Sequence, residues 1–174
     1  MGNRITNKCV DASESLKMSN GLTSVVLTLL VLSGSALAGS EREKLLIVWF
    51  ASHDQDLSGI GTVGFDLNEI PWTVEQFETE KHFLLAVIRR AQSRQDWGRL
   101  CYEPREDWAL ASLEQLAHMI SHFPVTCINQ EIALDQQAWW RPAELVLCPK
   151  HSALQHALGC VVCHVGDPIG SVGV

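Results

Sequence analysis

Residues 147–167, LCPKHSALQHALGCVVCHVGD, decide how this chain is built, because two different cofactors fit their cysteines and histidines. Cys148-Pro149-Lys150-His151 and Cys160-Val161-Val162-Cys163 are two pairs with the spacing at which tight turns offer thiolate and imidazole to one tetrahedral ion. Cys160, Cys163 and His164 also spell C-x-x-C-H, in which two thioethers fix a haem and the histidine supplies an axial nitrogen. Eight residues, 152–159, separate the two pairs, enough for a tight hairpin between them.

On Cys148-Pro149-Lys150-His151 and Gly159-Cys160-Val161-Val162-Cys163 the segment resembles a zinc knuckle or short zinc ribbon of the C-P-x-H and G-C-x-x-C kind. The resemblance spans residues 148–163 and implies a structural Zn2+ held by Cys148, His151, Cys160 and Cys163 in a binding module, with His151 departing from the commoner all-cysteine set. A four-ligand site of this kind is closed, without the position a catalytic zinc keeps for water, and its metal affinity becomes folding free energy. The alternative, haem c on Cys160, Cys163 and His164, resembles a c-type cytochrome and implies export and electron transfer. Only ten residues follow His164, too few for the downstream Met ligand of a usual small cytochrome. Haem also leaves Cys148 and His151 without a role. Zinc uses all four ligands and leads; haem c stays open as the second reading. A redox disulfide between Cys160 and Cys163 lacks the βαβ setting expected for it.

Thirteen basic against twenty acidic side chains give a formal charge of -7. That charge repels phosphate backbones, argues against nucleic-acid binding and favours a basic protein partner. Residues 1–20 are polar and carry Arg4, Lys8 and Lys17; an apolar centre at 25–32 and the small residues of Ala36-Leu37-Ala38 follow. This is the order of a signal peptide cut before Gly39. The long leader with Asp11 and Glu14, and the interruption at Thr28, weigh against it, so export and retention stand level for the signal-like segment 18–38. An uninterrupted apolar span of about 20 residues is missing, so no stable membrane span is expected. After such a cut, zinc would leave only Cys101 and Cys127, free to stay reduced or to pair.

Residues 44–52, KLLIVWFAS, read as a buried strand, and 62–67, TVGFDL, as its return across the turn 53–61. Asp54, Asp56, Ser58 and Gly59 resemble half a calcium loop, but its twelfth position is Phe65, so an ordinary turn is expected. Thr73 and Gln76 suggest a capping box for a helix running to about Arg94, with Phe77, Leu84, Leu85, Ile88 and Ala91 inward. A second helix ends at Phe123 before Pro124, with Leu113, Leu116, Ile120 and Phe123 inward. Glu114, His118 and His122 line its outer side one turn apart, a spacing that permits a metal but lacks the general base of H-E-x-x-H; a solvated face is expected. Residues 125–128 suggest a strand, 129–137 a short helix and 144–147 a strand feeding the cysteines. The six Trp are assigned to core and rim.

The expected fold is α+β: a small sheet, two amphipathic helices and a C-terminal metal-stabilised hairpin. Its parts are a signal-like or disordered leader (1–40), a body (41–143) and a zinc-knuckle-like appendage (144–174). The expected function is a small acidic binding protein of inhibitor or immunity type, more a binder than an enzyme. The alternatives are the exported haem carrier and a metal hydrolase built on Glu114, His118 and His122.

Overall fold

Ser19 starts the helix around which the protein is organised. In the computed structural model, which describes residues 3–134 and 138–166, its hydroxyl accepts from the Leu22 N–H and opens α1, Asn20–Leu37. Val26, Leu27, Leu29, Leu30, Val31 and Leu32 are buried, so α1 is apolar nearly all round and lies in the core against three later helices, α2 (Glu41–Ala51), α3 (Phe77–Gln92) and α4 (Glu106–His122). By length and composition α1 can cross a membrane; 56% of its apolar window is buried inside the protein.

Before α1, β1 (Asn3–Asn7) and β2 (Asp11–Met18) form an antiparallel hairpin. β1 also pairs in parallel with β5 (Phe65–Asp66), in register Ile5 with Phe65 and Thr6 with Asp66, giving the sheet order β2-β1-β5. Gly64 permits this pairing, because a Cβ there would sit 2.1 Å from the Arg4 carbonyl oxygen. The Asp66 carboxylate then accepts from Thr6 Oγ1 at 2.6 Å and from the Lys8 N–H at 3.1 Å. Residues 3–37 thus share one apolar core with the rest of the described chain.

The strand expected at 44–52 is instead the helix α2, Glu41–Ala51. Ser40 and Glu43 form a reciprocal capping box at its start, and two acids occupy its first turn, where the helix dipole favours them. Leu46, Ile47, Val48, Trp49 and Phe50 are all buried, which is why the run shows no helical periodicity. The α1–α2 crossing is close: a Cβ on Gly34 would meet Ile47 Cδ1 at 2.1 Å. Beyond α2, β3 (Asp54–Gln55) pairs with β4 (Gly61–Thr62) across a turn in which Gly59 has φ 73°.

The two expected amphipathic helices are α3, Phe77–Gln92, and α4, Glu106–His122. α3 starts later than the Thr73 capping box suggests, because Thr73 is taken by another acceptor. Its N–H and Oγ1 both donate to the buried Glu80 carboxylate, which also receives Arg42 Nε at 2.6 Å from α2. At the far end of α3, buried Asp96 accepts from Arg90, Arg99 and Ser33, binding α1 to the turn after α3. Residues 125–127 form a single 3-10 turn rather than a strand, and α5, Gln130–Leu134, follows. Cys127 pairs with Cys9 in a disulfide with Cα atoms 5.9 Å apart, so the β1–β2 turn is tied to the 3-10 turn after α4 and Cys101 is left as an exposed free thiol. The whole is a small α+β fold, as the sequence implies. Trp72, Trp49 and Trp140 are in the core, and Trp108 and Trp139 are on the surface.

Candidate metal centre

The C-terminal segment folds as two turns facing each other. No regular strand forms at 144–147; instead a single bridge joins Leu147 to Leu154. The Cys148 N–H donates to the Ala153 carbonyl at 2.8 Å and the Ser152 N–H to the Cys148 carbonyl at 2.8 Å, closing the first turn around Pro149, Lys150 and His151. His156 and Gly159 exchange backbone bonds of 3.0 and 2.9 Å, and Gly159 takes φ 112°, a conformation open to glycine at little cost. That turn delivers Cys160 to the start of α6, Val161–Gly166, whose first turn carries Cys163.

Both pairs converge on one point. His151 Nδ1 lies 3.8 Å from Cys148 Sγ, 3.7 Å from Cys160 Sγ and 3.3 Å from Cys163 Sγ, and Cys148 Sγ lies 3.8 Å from Cys163 Sγ. All four ligand atoms fall within 4.8 Å of one another. A zinc ion with bonds of about 2.3 Å to sulfur and about 2.0 Å to nitrogen needs tetrahedral edges of about 3.8 Å between sulfurs and about 3.5 Å from sulfur to nitrogen. The cluster has the size of that tetrahedron. Its donor set is Cys3His, assembled from the four residues that the C-P-x-H and G-C-x-x-C pattern names.

The thiols are not alike. Burial pushes Cys160 up to about 12, and burial, followed by its neighbour Cys148, raises Cys163. Burial also opposes ionisation of Cys148, yet the backbone N–H groups of His151 and Lys150 together with the Cys160 and Cys163 thiols outweigh it and hold that thiol below its ordinary value. Cys148 therefore carries negative charge first. A bound divalent cation would deprotonate the other two, since thiolates and not thiols are metal ligands.

The knuckle is anchored to the body by the Leu154 N–H, which donates to Ser35 Oγ of α1 at 2.8 Å, and by buried Ala153, Leu154, Val161 and Val162. His164 turns away from the thiols. Its Nδ1 meets the Asp54 carboxylate at 2.7 Å and its Nε2 donates to the Leu158 carbonyl at 3.0 Å. Asp54, expected in an ordinary turn, is buried and holds this histidine. His156 joins the same neighbourhood, and sequence spacing gives no notice of the trio, because Asp54 is 110 residues from His164.

Glu114, His118 and His122 do not gather as a metal-ligating group among the described residues. His122 Nδ1 donates back to the His118 carbonyl at 2.9 Å, and His118 Nδ1 lies 3.5 Å from Glu14 of β2, with both rings on the exposed face of α4. Comparison with protein-family models, curated proteins and solved structures finds no match, so the chemistry of this centre is argued from its own geometry.

Proposed function

We propose that the protein is a small acidic binding protein whose C-terminal knuckle is held by a structural Zn2+ on Cys148, His151, Cys160 and Cys163. The observation that carries this is the convergence of three sulfurs on His151 Nδ1 at 3.3 to 3.8 Å, the edge lengths of a filled zinc tetrahedron. Four protein ligands close the coordination shell and leave no position for a substrate or a water, so this ion serves folding rather than chemistry. The same arrangement supports zinc over haem, because Cys160 and Cys163 face Cys148 and His151 while His164 is engaged by Asp54.

With a formal charge of -7, a basic protein is the favoured partner, and an inhibitor or immunity role that masks a basic toxin or enzyme follows from that complementarity. The test is in two parts. Elemental analysis of protein purified without added metal should find zinc and no iron; iron with a coloured protein would replace the proposal with the haem reading. Pull-down from the native source should then return a basic protein whose binding weakens steeply with salt, and a neutral or acidic partner with salt-independent affinity would refute the charge argument.

A further inference from the structure

Three side chains near the knuckle are not used by it. Asp54 comes from β3, His156 from the hairpin between the two knuckle turns, and His164 from α6, and one ligand atom from each lies within 4.8 Å of the others. Asp54 and His156 are each only 5% exposed. His156 Nε2 is buried and has no hydrogen-bond partner among the described residues. A buried imidazole nitrogen left in this way is a feature that asks for a ligand. His156 also lines a cavity of about 470 Å³ with Ser52, Gln55, Trp139 and Trp140.

We propose that Asp54, His156 and His164 form a second site, for a catalytic-type Zn2+ with three protein ligands, of which His156 borders this cavity, and a fourth position left to water or substrate. Two imidazoles and one carboxylate are the donors of zinc sites that keep a place for water, in contrast to the closed Cys3His set. The surroundings of His164 are those of a ligand already oriented. Its Nε2–H donates to the Leu158 carbonyl, which leaves Nδ1 as the metal-facing nitrogen, and a backbone carbonyl on the far ring nitrogen is the usual support of a ligating histidine. Nδ1 lies 2.7 Å from Asp54 Oδ2, so an ion taking the place of the proton between them would part the two atoms to about 3.3 Å, the edge of a tetrahedron with bonds of about 2.0 Å, and that proton leaves to solvent. The His156 ring nitrogen supplies the third bond. The proposal rests on the knuckle reading, because α6 carries both Cys163 and His164 and is positioned by the first ion.

The experiment uses the full chain, stripped of metal, reconstituted with Zn2+ or Co2+ and desalted. The wild type should hold two equivalents. His156→Gln and Asp54→Asn should each hold one, with the cobalt–thiolate charge-transfer bands of the Cys3His site unchanged. His156→Gln removes no hydrogen bond at Nε2, and Asp54→Asn keeps a polar partner for His164, so the unchanged thiolate bands also report that the knuckle is folded. A single equivalent in the wild type with full thiolate bands would overturn the second site alone, as would a second equivalent that survives in both variants. A wild type that binds one equivalent without thiolate bands, lost in His156→Gln, would overturn the knuckle and the dependence of the second site on the first ion, while the second site itself would stand. No retained metal would overturn both.

Discussion

Stripping the proposed zinc should unfold residues 148–164, loosen the 53–62 turn and leave the helical core folded. Ordering these seventeen residues costs about 1.5 kcal/mol each, about 25 kcal/mol in all. Burial of Leu154, Val161 and Val162, each no more than 2% exposed, contributes about 7 kcal/mol at about 1.5–3 kcal/mol per side chain. The backbone bonds of Cys148, Ser152, Gln155, His156, Gly159 and His164, with the Leu154 bond to Ser35, add about 1 kcal/mol each, about 7 kcal/mol together. A shortfall of about 11 kcal/mol remains, within the range of about 10–16 kcal/mol that structural zinc supplies at neutral pH. The apolar anchor and hydrogen bonds therefore cannot hold the knuckle alone. The assay is hydrogen–deuterium exchange read by mass spectrometry, with and without a zinc chelator. Chelation should bring the amides of Cys148, Leu154, Gln155, His156 and Gly159 to within about tenfold of unstructured rates, while α1, α3 and α4, which have their own core, keep their protection. Unchanged protection of those five amides after verified metal loss would refute the reasoning.

Other perturbations test the body. Asp96→Ala leaves two partly exposed guanidinium groups and the Ser33 hydroxyl without their buried acceptor, and should cost about 3 kcal/mol in urea unfolding, with Asp96→Asn in between. Replacing Cys9 and Cys127 together by Ser opens a loop with a sequence separation of 118 and should cost about 4 kcal/mol by the same assay without disturbing the knuckle thiols. Burial lowers His53 to about 4, against its hydrogen bonds to Trp49 and Phe50. The unfolded chain takes up that proton near pH 6.5 and the folded chain does not, so stability is fully present above pH 6.5 and falls as pH drops toward 4, by up to about 3 kcal/mol; His53→Gln should flatten that slope in pH-resolved melts. Deleting residues 1–38 removes β1, β2 and α1, including buried Ile5, Leu27 and Leu32, and should yield an insoluble or molten product by near-ultraviolet circular dichroism.

What the sequence made legible is what local spacing controls. The inward faces of α3 and α4 follow from helical periodicity, and Phe77, Leu84, Ile88, Leu113, Leu116 and Phe123 are buried as that pattern requires. The four ligands of the knuckle lie within one short segment, so their convergence was legible as well. At 44–52 the signal was present but outvoted: Ser40-x-x-Glu43 is a capping box, while an apolar run buried on every side has no period to read. Conversely, Thr73-x-x-Gln76 has the form of a cap, but Glu80 in the first turn of α3, itself paired with Arg42 of α2, takes both the Thr73 N–H and its hydroxyl. The Cys9–Cys127 bond and the Asp54–His164 contact join residues more than a hundred positions apart, and no periodicity or motif encodes such meetings.

α1 shows why composition alone does not separate two readings, because an apolar helix near the N-terminus has the composition both of a targeting segment and of a core helix. Its few polar residues join it to the rest of the protein. Ser33 donates to Asp96 at the end of α3, Ser35 accepts from Leu154 of the knuckle, and Asn20 accepts from the Thr62 N–H of β4. β4 in turn pairs with β3, whose Asp54 holds His164 of α6. The knuckle therefore reaches α1 twice, directly near the C-terminal end through Ser35 and near the N-terminal end through the Asp54 hairpin. A metal-held segment braced in this way fixes the position of the 53–62 turn as well as its own, so losing the ion should loosen that turn ahead of the helical core. If the surface near Trp139 and His156 is where a partner or substrate meets the protein, losing the ion should change its shape.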